Sequence, residues 1–378
     1  PLLWFAGAQQ VAALACIVAF VPLFGLVGVL LSQAVSTMLV NALELSLARR
    51  RIGLVWWNAR YRLWLAPAAA AALAAVAMMT RPAYAWDELG HRVVARIAWD
   101  QMTPQARAAA VRLLMNAPAN TGLRELMPSA GSAEERGREL FIMAAVWPDI
   151  IRSRSHVGNR YAHSDWHYVD HFWEQRVPGA RPVDRPDVHV EGLLLQQLPQ
   201  LRATLSADAS AAGDSARSIA LAWVLHLVGD AHQPLHNSSR ITPQDTAGDR
   251  GGNLFLLAGL YPRSNLHAFW DSLVGFSAPW SASDRDEAAY IGHVAAAIER
   301  RYPPGWARPR LLPGQMERWS MEGYRISKES VYPAWLVRGE AAPARYQAQS
   351  WAVAQPRLAL AGYRLADLLN HALGSGHA

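Results

Sequence analysis

Two segments repeat one spacing of metal-binding side chains, His226-x3-Asp230 and His267-Ala-Phe-Trp-Asp271. Residues four apart on a helix share a face, so each pair can bring an imidazole nitrogen and a carboxylate oxygen to one point. His236 lies just beyond the first pair, and Pro234 between them ends the helix and lets His236 swing towards a neighbouring position. One such pair is a weak signal; two pairs and a third histidine make a donor set. Imidazoles and carboxylates without thiolates suit a catalytic zinc site, with a position left open for water or substrate, rather than a structural cysteine site. Asp149, after Ala-Val-Trp-Pro, and His167, within Asp165-Trp-His167-Tyr168-Val-Asp170, are further candidates. Each has a plainer reading. Asp149 could cap a helix after Pro148, and His167 could be a core histidine hydrogen-bonded to Asp165 or Asp170.

An eighth position depends on processing. Residues 65–85 form an alanine-rich apolar stretch that ends in Ala83-Tyr84-Ala85, with Arg60 and Arg62 as its positive flank. That is the pattern of a signal peptide with a small-x-small cleavage site. Cleavage leaves Trp86 with a free α-amine and His91 five residues later. An amine, a carbonyl and an imidazole close together make a metal site that the uncleaved chain cannot assemble. The amine's reference pKa of about 7.7–8.0 makes its deprotonation by zinc easy near neutrality. With Ala85 still attached, the chain is a precursor with one site unfinished.

Composition divides the chain at the same place. Residues 11–31 carry no charge and are long enough to span a bilayer, and Arg49-Arg50-Arg51 follow as a positive flank. Residues 1–53 are read as a membrane anchor or as translated sequence upstream of a start codon near residue 54. We favour the second, because a spanning helix followed by a signal peptide at 54–85 is redundant. The formal net charge of +6 comes mainly from residues 1–85, which hold six Arg and one Glu. The remaining 30 basic and 29 acidic residues nearly balance, so bulk positive charge is not the basis of any nucleic-acid binding. The only cysteine, Cys16, lies before Trp86, whereas all 13 histidines follow it. The secreted part, 86–378, therefore has no disulfide but is large enough to bury a core without one.

Helical periodicity dominates this part, over 87–100, 104–115, 137–147, 191–205, 214–235, 284–301, 316–326 and 347–373. Thr103-Pro104 reads as an N-cap and first-turn pair. The run Asn253-Leu-Phe-Leu-Leu after Gly251-Gly252 reads as one arm of a hairpin, and 176–188 and 303–313 read as surface loops. The expected fold is a single all-α domain with at most a small β-hairpin.

In order, the chain shows W-x4-H from Trp86, W-x-D at 147–149, H-x2-D at 167–170, H-x3-D-x5-H at 226–236, GGN at 251–253 and N-L-H-x3-D at 265–271. Gly362-Tyr363-Arg364-Leu365-Ala366 close the series. Across 86–378 this resembles the trinuclear zinc single-strand nucleases secreted by fungi, plants and bacteria, a sister group of the zinc-dependent phospholipases C. The resemblance implies a phospholipase C/zinc nuclease-like helical fold and three Zn2+ ions. One would take Asp149, His167, His226 and Asp230. A second would take the Trp86 amine and carbonyl, His91 and the shared Asp230, and a third would take His236, His267 and Asp271. It implies hydrolysis of single-stranded DNA or RNA, and of 3′-nucleotides, to 5′-phosphorylated products, outside the cytoplasm. Asp149 and Asp230 would then be catalytic through the metals, and Arg152 would lie beside the scissile phosphate.

Tyr168 and Asp170 match the pocket for the base on the 5′ side of the cleaved bond. An aromatic face stacks any unpaired base, and a carboxylate accepts from an exocyclic amine. Asn253 matches a position that orients backbone or phosphate. His232 matches no ligand and is read as supporting the ligands from behind or as packing. Phospholipase C is the nearest rival, but that branch has a longer gap after its N-terminal Trp and a Glu where this chain has Asp271. A zinc-storage protein would need neither Arg152 nor a base pocket.

Overall fold

The computed structural model describes residues 86–207, 209–259 and 264–374, so the expectations for 1–53 and 54–85 lie outside the described residues. Helix α1 (Glu88–Gln101) starts where the Asp87 carboxylate accepts from the Gly90 amide, and it buries Val93, Val94 and Ile97. Helix α2 (Pro104–Met115) begins on the expected pair, with the Thr103 hydroxyl accepting from Ala106 and Pro104 in the first turn. Helix α3 (Ala133–Ala144) starts earlier than its periodicity suggests, because Ser132 and Glu135 form a capping box. A separate short helix, α4 (Trp147–Ile150), follows.

Helices α5 (Leu194–Ser206) and α6 (Ala209–Asp230) pack against each other, with a break at Gly213, where φ is 67°. Short helices α7 (Leu266–Asp271) and α8 (Leu273–Ser277) precede α9 (Glu287–Arg301), α10 (Pro304–Ala307) and α11 (Met316–Ile326). The last helix, α12 (Ala344–Gly374), lies along α1. A Cβ at Gly362 would stand 2.5 Å from Ile97, so only glycine permits that approach.

Helix α6 ends at Asp230, not at 235 as its apolar pattern suggests. Pro234 lacks the amide that a continuing helix needs, and it opens a 3-10 turn, Pro234–Asn237. The carbonyls freed behind it are recovered from outside. Asn237 Nδ2 donates to the Ala231 and Gln233 carbonyls, and Arg357 of α12 donates to those of Ala231 and His232.

The β structure differs from the expected hairpin. Strands β1 (His171–Glu174), β2 (Val183–Asp184) and β3 (Ser238–Ile241) form a sheet in the order β2-β1-β3. Strands β1 and β3 are parallel, with His171 opposite Ser238 and Glu174 opposite Ile241. Residues 253–257 form only an isolated bridge, Leu256 with Asn265. Gly251 and Gly252, with φ of 60° and 80°, turn the chain there instead. Strand β2 falls in the expected loop 176–188, and α10 falls in the expected loop 303–313. The parallel pair has a consequence for the site: both strands start from the same end, which sets the 167–170 segment beside His236.

Candidate metal centre

Helix α6 supplies His226 and Asp230 from one buried face, at the spacing read from sequence. The 3-10 turn beyond it supplies His236, α4 supplies Asp149, and α7 supplies His267 and Asp271. His167 stands at the approach to β1, held there by the Val169 amide donating to the His236 carbonyl at 2.8 Å. His91 comes from α1, and its ring stacks on that of His226 with centroids 3.8 Å apart. These side chains form three donor groups, His91–His226–Asp230, Asp149–His167–His226 and His236–His267–Asp271, with the donor atoms of each group within 4.8 Å of one another.

Asp230 is the hinge of the arrangement. Its carboxylate lies 3.4 Å from His91 Nε2, 3.2 Å from His167 Nδ1, 3.3 Å from His226 Nε2 and 3.7 Å from His236 Nδ1. A tetrahedral ion bound at about 2.0–2.1 Å needs donor atoms roughly 3.3 Å apart, which is close to these separations.

Backbone carbonyls fix the rings. Nδ1–H of His226 donates to Ala145, that of His236 to His167 and that of His267 to Gly251, at 2.7–2.8 Å. Each ring is thereby locked in the tautomer that turns the Nε2 lone pair inward. Asp149 Oδ2, His167 Nε2 and His236 Nε2 are buried with no hydrogen-bond partner. Burial holds the His226 imidazole well below its ordinary range and the His267 imidazole down to about 3, so these rings stay neutral. Burial, followed by the neighbouring Asp87, Asp230 and Asp149 carboxylates, pushes Asp271 up, against a hydrogen bond from Gln233. With these imidazoles neutral, a bound divalent cation would give the buried carboxylates counter-charge beyond what Arg152 offers Asp149. The donor set fits metal.

Trp86 and His91 are seated by two glycines. A Cβ on Gly90 would fall 2.7 Å from Trp86 Cβ, and one on Gly229 would fall 2.7 Å from His91 Nδ1. The Trp86 indole donates to the Gly229 carbonyl at 3.1 Å, and the Asp87 amide donates to the Asp271 carbonyl at 2.9 Å. The backbone at Trp86 is therefore pinned between the segments that carry Asp230 and Asp271.

A cleft of about 490 Å³ opens over these groups, lined by Arg152, Tyr168, Asp170, Asn253 and, from the ligand positions, His167, His236, His267 and Asp271. Asp149 does not cap a helix: it lies inside α4, fully buried, with Arg152 Nη1 3.4 Å from its Oδ1. His167 pairs with Asp230 and His226, not with Asp165 or Asp170. Asn253 Nδ2 donates to the Arg250 carbonyl, closing the Gly251-Gly252 turn. His232 lies outside the three donor groups, with Nδ1–H on the Val228 carbonyl and Nε2 accepting from Arg364.

Several residues of the site had escaped the sequence reading. Gln233 Nε2 donates to Asp271 Oδ1 at 2.7 Å and so orients that carboxylate. Asp249, fully buried, accepts from the Arg240 and Gly252 amides and from the Tyr332 hydroxyl, which fixes the turn that carries the His267 acceptor. Glu191 and Arg250 line the cleft. Gln233 sits between the donors Asp230 and His236 in sequence, and Asp249 directly precedes the Arg-Gly-Gly-Asn turn. Those adjacencies were the available signals.

Burial, with Asp249 and Glu191 nearby, pushes the Asp170 carboxyl up to about 8. Folding then takes up a proton at this group between its ordinary value of 3.8 and about 8, so its contribution to stability is lost as pH rises through that window. Asp170→Asn removes the titration. Thermal melting should show the melting temperature of the variant gaining on the wild type from pH 4 to pH 8. An offset independent of pH would show that Asp170 does not titrate in the fold.

A helical frame that gathers imidazoles and carboxylates at the floor of a polar cleft is built to hold metal against a substrate. The chain belongs to the S1/P1 nuclease family, which it matches over residues 86–374. It is 24% identical over 310 residues to Endonuclease 2 of Arabidopsis thaliana, covering 77% of this chain and 91% of that protein. It is 22% identical over 320 residues to Endonuclease 3 of the same plant, covering 82% and 94%. To Nuclease PA3 of Penicillium sp it is 25% identical over 304 residues, covering 77% and 98%. The chain is a nuclease, a phosphodiesterase with nucleic acid as its substrate, on the expected helical fold. Among the described residues no helix is long and apolar enough to cross a membrane.

Proposed function

We propose that the chain is a zinc-dependent endonuclease specific for single strands. It gives 5′-phosphorylated products, also removes the phosphate of 3′-nucleotides, and is secreted or periplasmic after cleavage before Trp86. The observation that carries this reading is that His167 of one donor group and His236, His267 and Asp271 of another line one cleft with Arg152, Tyr168 and Asp170, while Asp230 of the third group lies 3.2 Å behind His167. Asp149, His167, His226 and Asp230 would hold one ion. Trp86, His91 and Asp230 would hold a second, and His236, His267 and Asp271 a third. Zinc bound there supplies Lewis acidity towards the phosphate and makes water nucleophilic near neutral pH.

The protein's own part is positioning. Arg152, 41% exposed and anchored on Asp149, offers its guanidinium fork to the scissile phosphate and its developing charge. Tyr168 stacks the base on the 5′ side, and Asp170 meets the edge of that base. A base can enter this cleft only after leaving its partner, which is the physical source of single-strand preference. The family match begins at Trp86, the residue that signal cleavage exposes, and this supports the processing step.

The test is a substrate panel of single- and double-stranded DNA, RNA, 3′-AMP and phosphatidylcholine, run with and without a chelator and with zinc restored. Single-strand cleavage lost to the chelator and regained with zinc is expected. Lipid turnover without nucleotide release would overturn the reading in favour of a phospholipase. Bound zinc without turnover of any substrate would point to storage.

A further inference from the structure

Arg250 is not among the residues assigned above, yet its backbone and its position are both unusual. It is one of two non-glycine residues with positive φ among the described residues, at 53°. The next two residues are glycines that adopt the same region without a side-chain penalty. A side chain held in this conformation is strained, and such strain persists only where the surroundings over-determine it. They do so here. The Arg250 amide donates to Ser239 Oγ, and its carbonyl accepts from both the amide and Nδ2 of Asn253. On one side Asp249 is buried in its own network, and on the other the Gly251 carbonyl holds His267. The base of the Arg250 side chain is therefore as fixed as the ligands.

The side chain is exposed and lines two adjoining clefts. One is the cleft over the metal centre. The other continues from it past Asp170 and Glu191 towards Gly248 and Leu254. Among the described residues Arg250 makes no salt bridge, whereas Arg152 is tied to Asp149. Its charge reaches Tyr168, where it favours the ionised hydroxyl against the effect of burial and of Asp170, Glu191 and Asp165. The two guanidiniums thus serve different places. Arg152 is next to Asp149 and its charge is felt at His267, whereas Arg250 stands on the side of Tyr168. On the base-pocket reading, a nucleotide stacked on Tyr168 with its 3′ phosphate at Arg152 would have its 5′ end free to follow the second cleft, which Arg250 also lines.

We propose that Arg250 binds the phosphate on the 5′ side of the nucleotide whose base Tyr168 stacks, and so selects substrates that carry that phosphate. This rests on the base-pocket reading above. A guanidinium on a fixed stem matches a phosphate bidentately.

The dinucleotides ApA and pApA isolate the effect, because the bond cleaved is the same and only the 5′ phosphate differs. The zinc-loaded wild type should favour pApA by about tenfold in kcat/KM, mainly through KM. Arg250→Gly keeps the left-handed backbone and removes only the side chain, so the preference should fall close to unity. Arg250→Lys, which keeps the charge, should restore part of it. A wild type indifferent to the 5′ phosphate overturns the inference. So does an Arg250→Gly variant that retains the preference, or one that loses both substrates equally, which is the mark of a purely structural residue. Failure of the wild type to cleave either dinucleotide, while active on longer strands, overturns it too. Inactivity on every nucleic acid would instead bring down the functional reading beneath it.

Discussion

Protein matured to begin at Trp86 is expected to cleave single-stranded DNA at least about a hundredfold faster than the same chain retaining Ala85. The difference arises in one peptide bond. With Ala85 attached, the nitrogen of Trp86 is an amide, whose lone pair is delocalised and a poor donor. Released, it is an amine whose affinity for a proton is low enough for a metal to displace it near neutrality. Everything else at this position is already in place. The indole donates to the Gly229 carbonyl, the next amide donates to Asp271, and His91 stacks on His226. Intact mass identifies the two forms, and elemental analysis should find about one fewer zinc per chain when Ala85 is present. Equal metal content and equal rates in the two forms would remove Trp86 from the ligand set.

Asp230→Asn is the second large effect. Asp230 stands against four imidazoles from four separate segments of the chain, all within 3.7 Å. Asparagine keeps the shape but removes the charge and turns one acceptor oxygen into a donor; on the ligand scheme proposed above, two of the three sites would share that charge. Activity should fall roughly a thousandfold. The loss should be accompanied by release of two zinc ions rather than one, because a bridging ligand serves both. The group of His236, His267 and Asp271 retains its own carboxylate and should keep its ion. Zinc titration of the variant counts the sites directly. Loss of a single ion would show that Asp230 belongs to one site only.

The donor groups were legible because their signal is local. His226 and Asp230, like His267 and Asp271, are four residues apart, and helical geometry alone brings each pair together. Helix α11 covers the expected 316–326, since its stripe is strongly amphipathic. The sheet was not legible. Strands β1 and β3 are four residues each and buried on both faces, with the sequences His-Phe-Trp-Glu and Ser-Ser-Arg-Ile. No apolar–polar alternation marks them, and their parallel pairing joins segments far apart in the chain. The apolar run after Gly251-Gly252 misled for the opposite reason. Phe255 and Leu257 are buried by packing, not by a ladder. Gln233 and Asp249 act through contacts that exist only after folding, so their residue types carried no warning. The extent of α6 was overread because an apolar stripe continues past Asp230, whereas the backbone stops where Pro234 leaves it without an amide.

The spread of these donors along the chain bears on what an ion bound among them would do for stability. His167 and His226, whose ring nitrogens lie 2.9 Å apart, are separated by 59 residues, and the Trp86–Gly229 bond spans 143. An ion held by His167 and His226, or by Trp86 and Asp230, would close a long loop, as a covalent bridge would, and deny the unfolded chain much of its freedom. Chelation would thus act on this protein as reduction acts on a disulfide-bonded one, with helix α1 among the first segments to be untied.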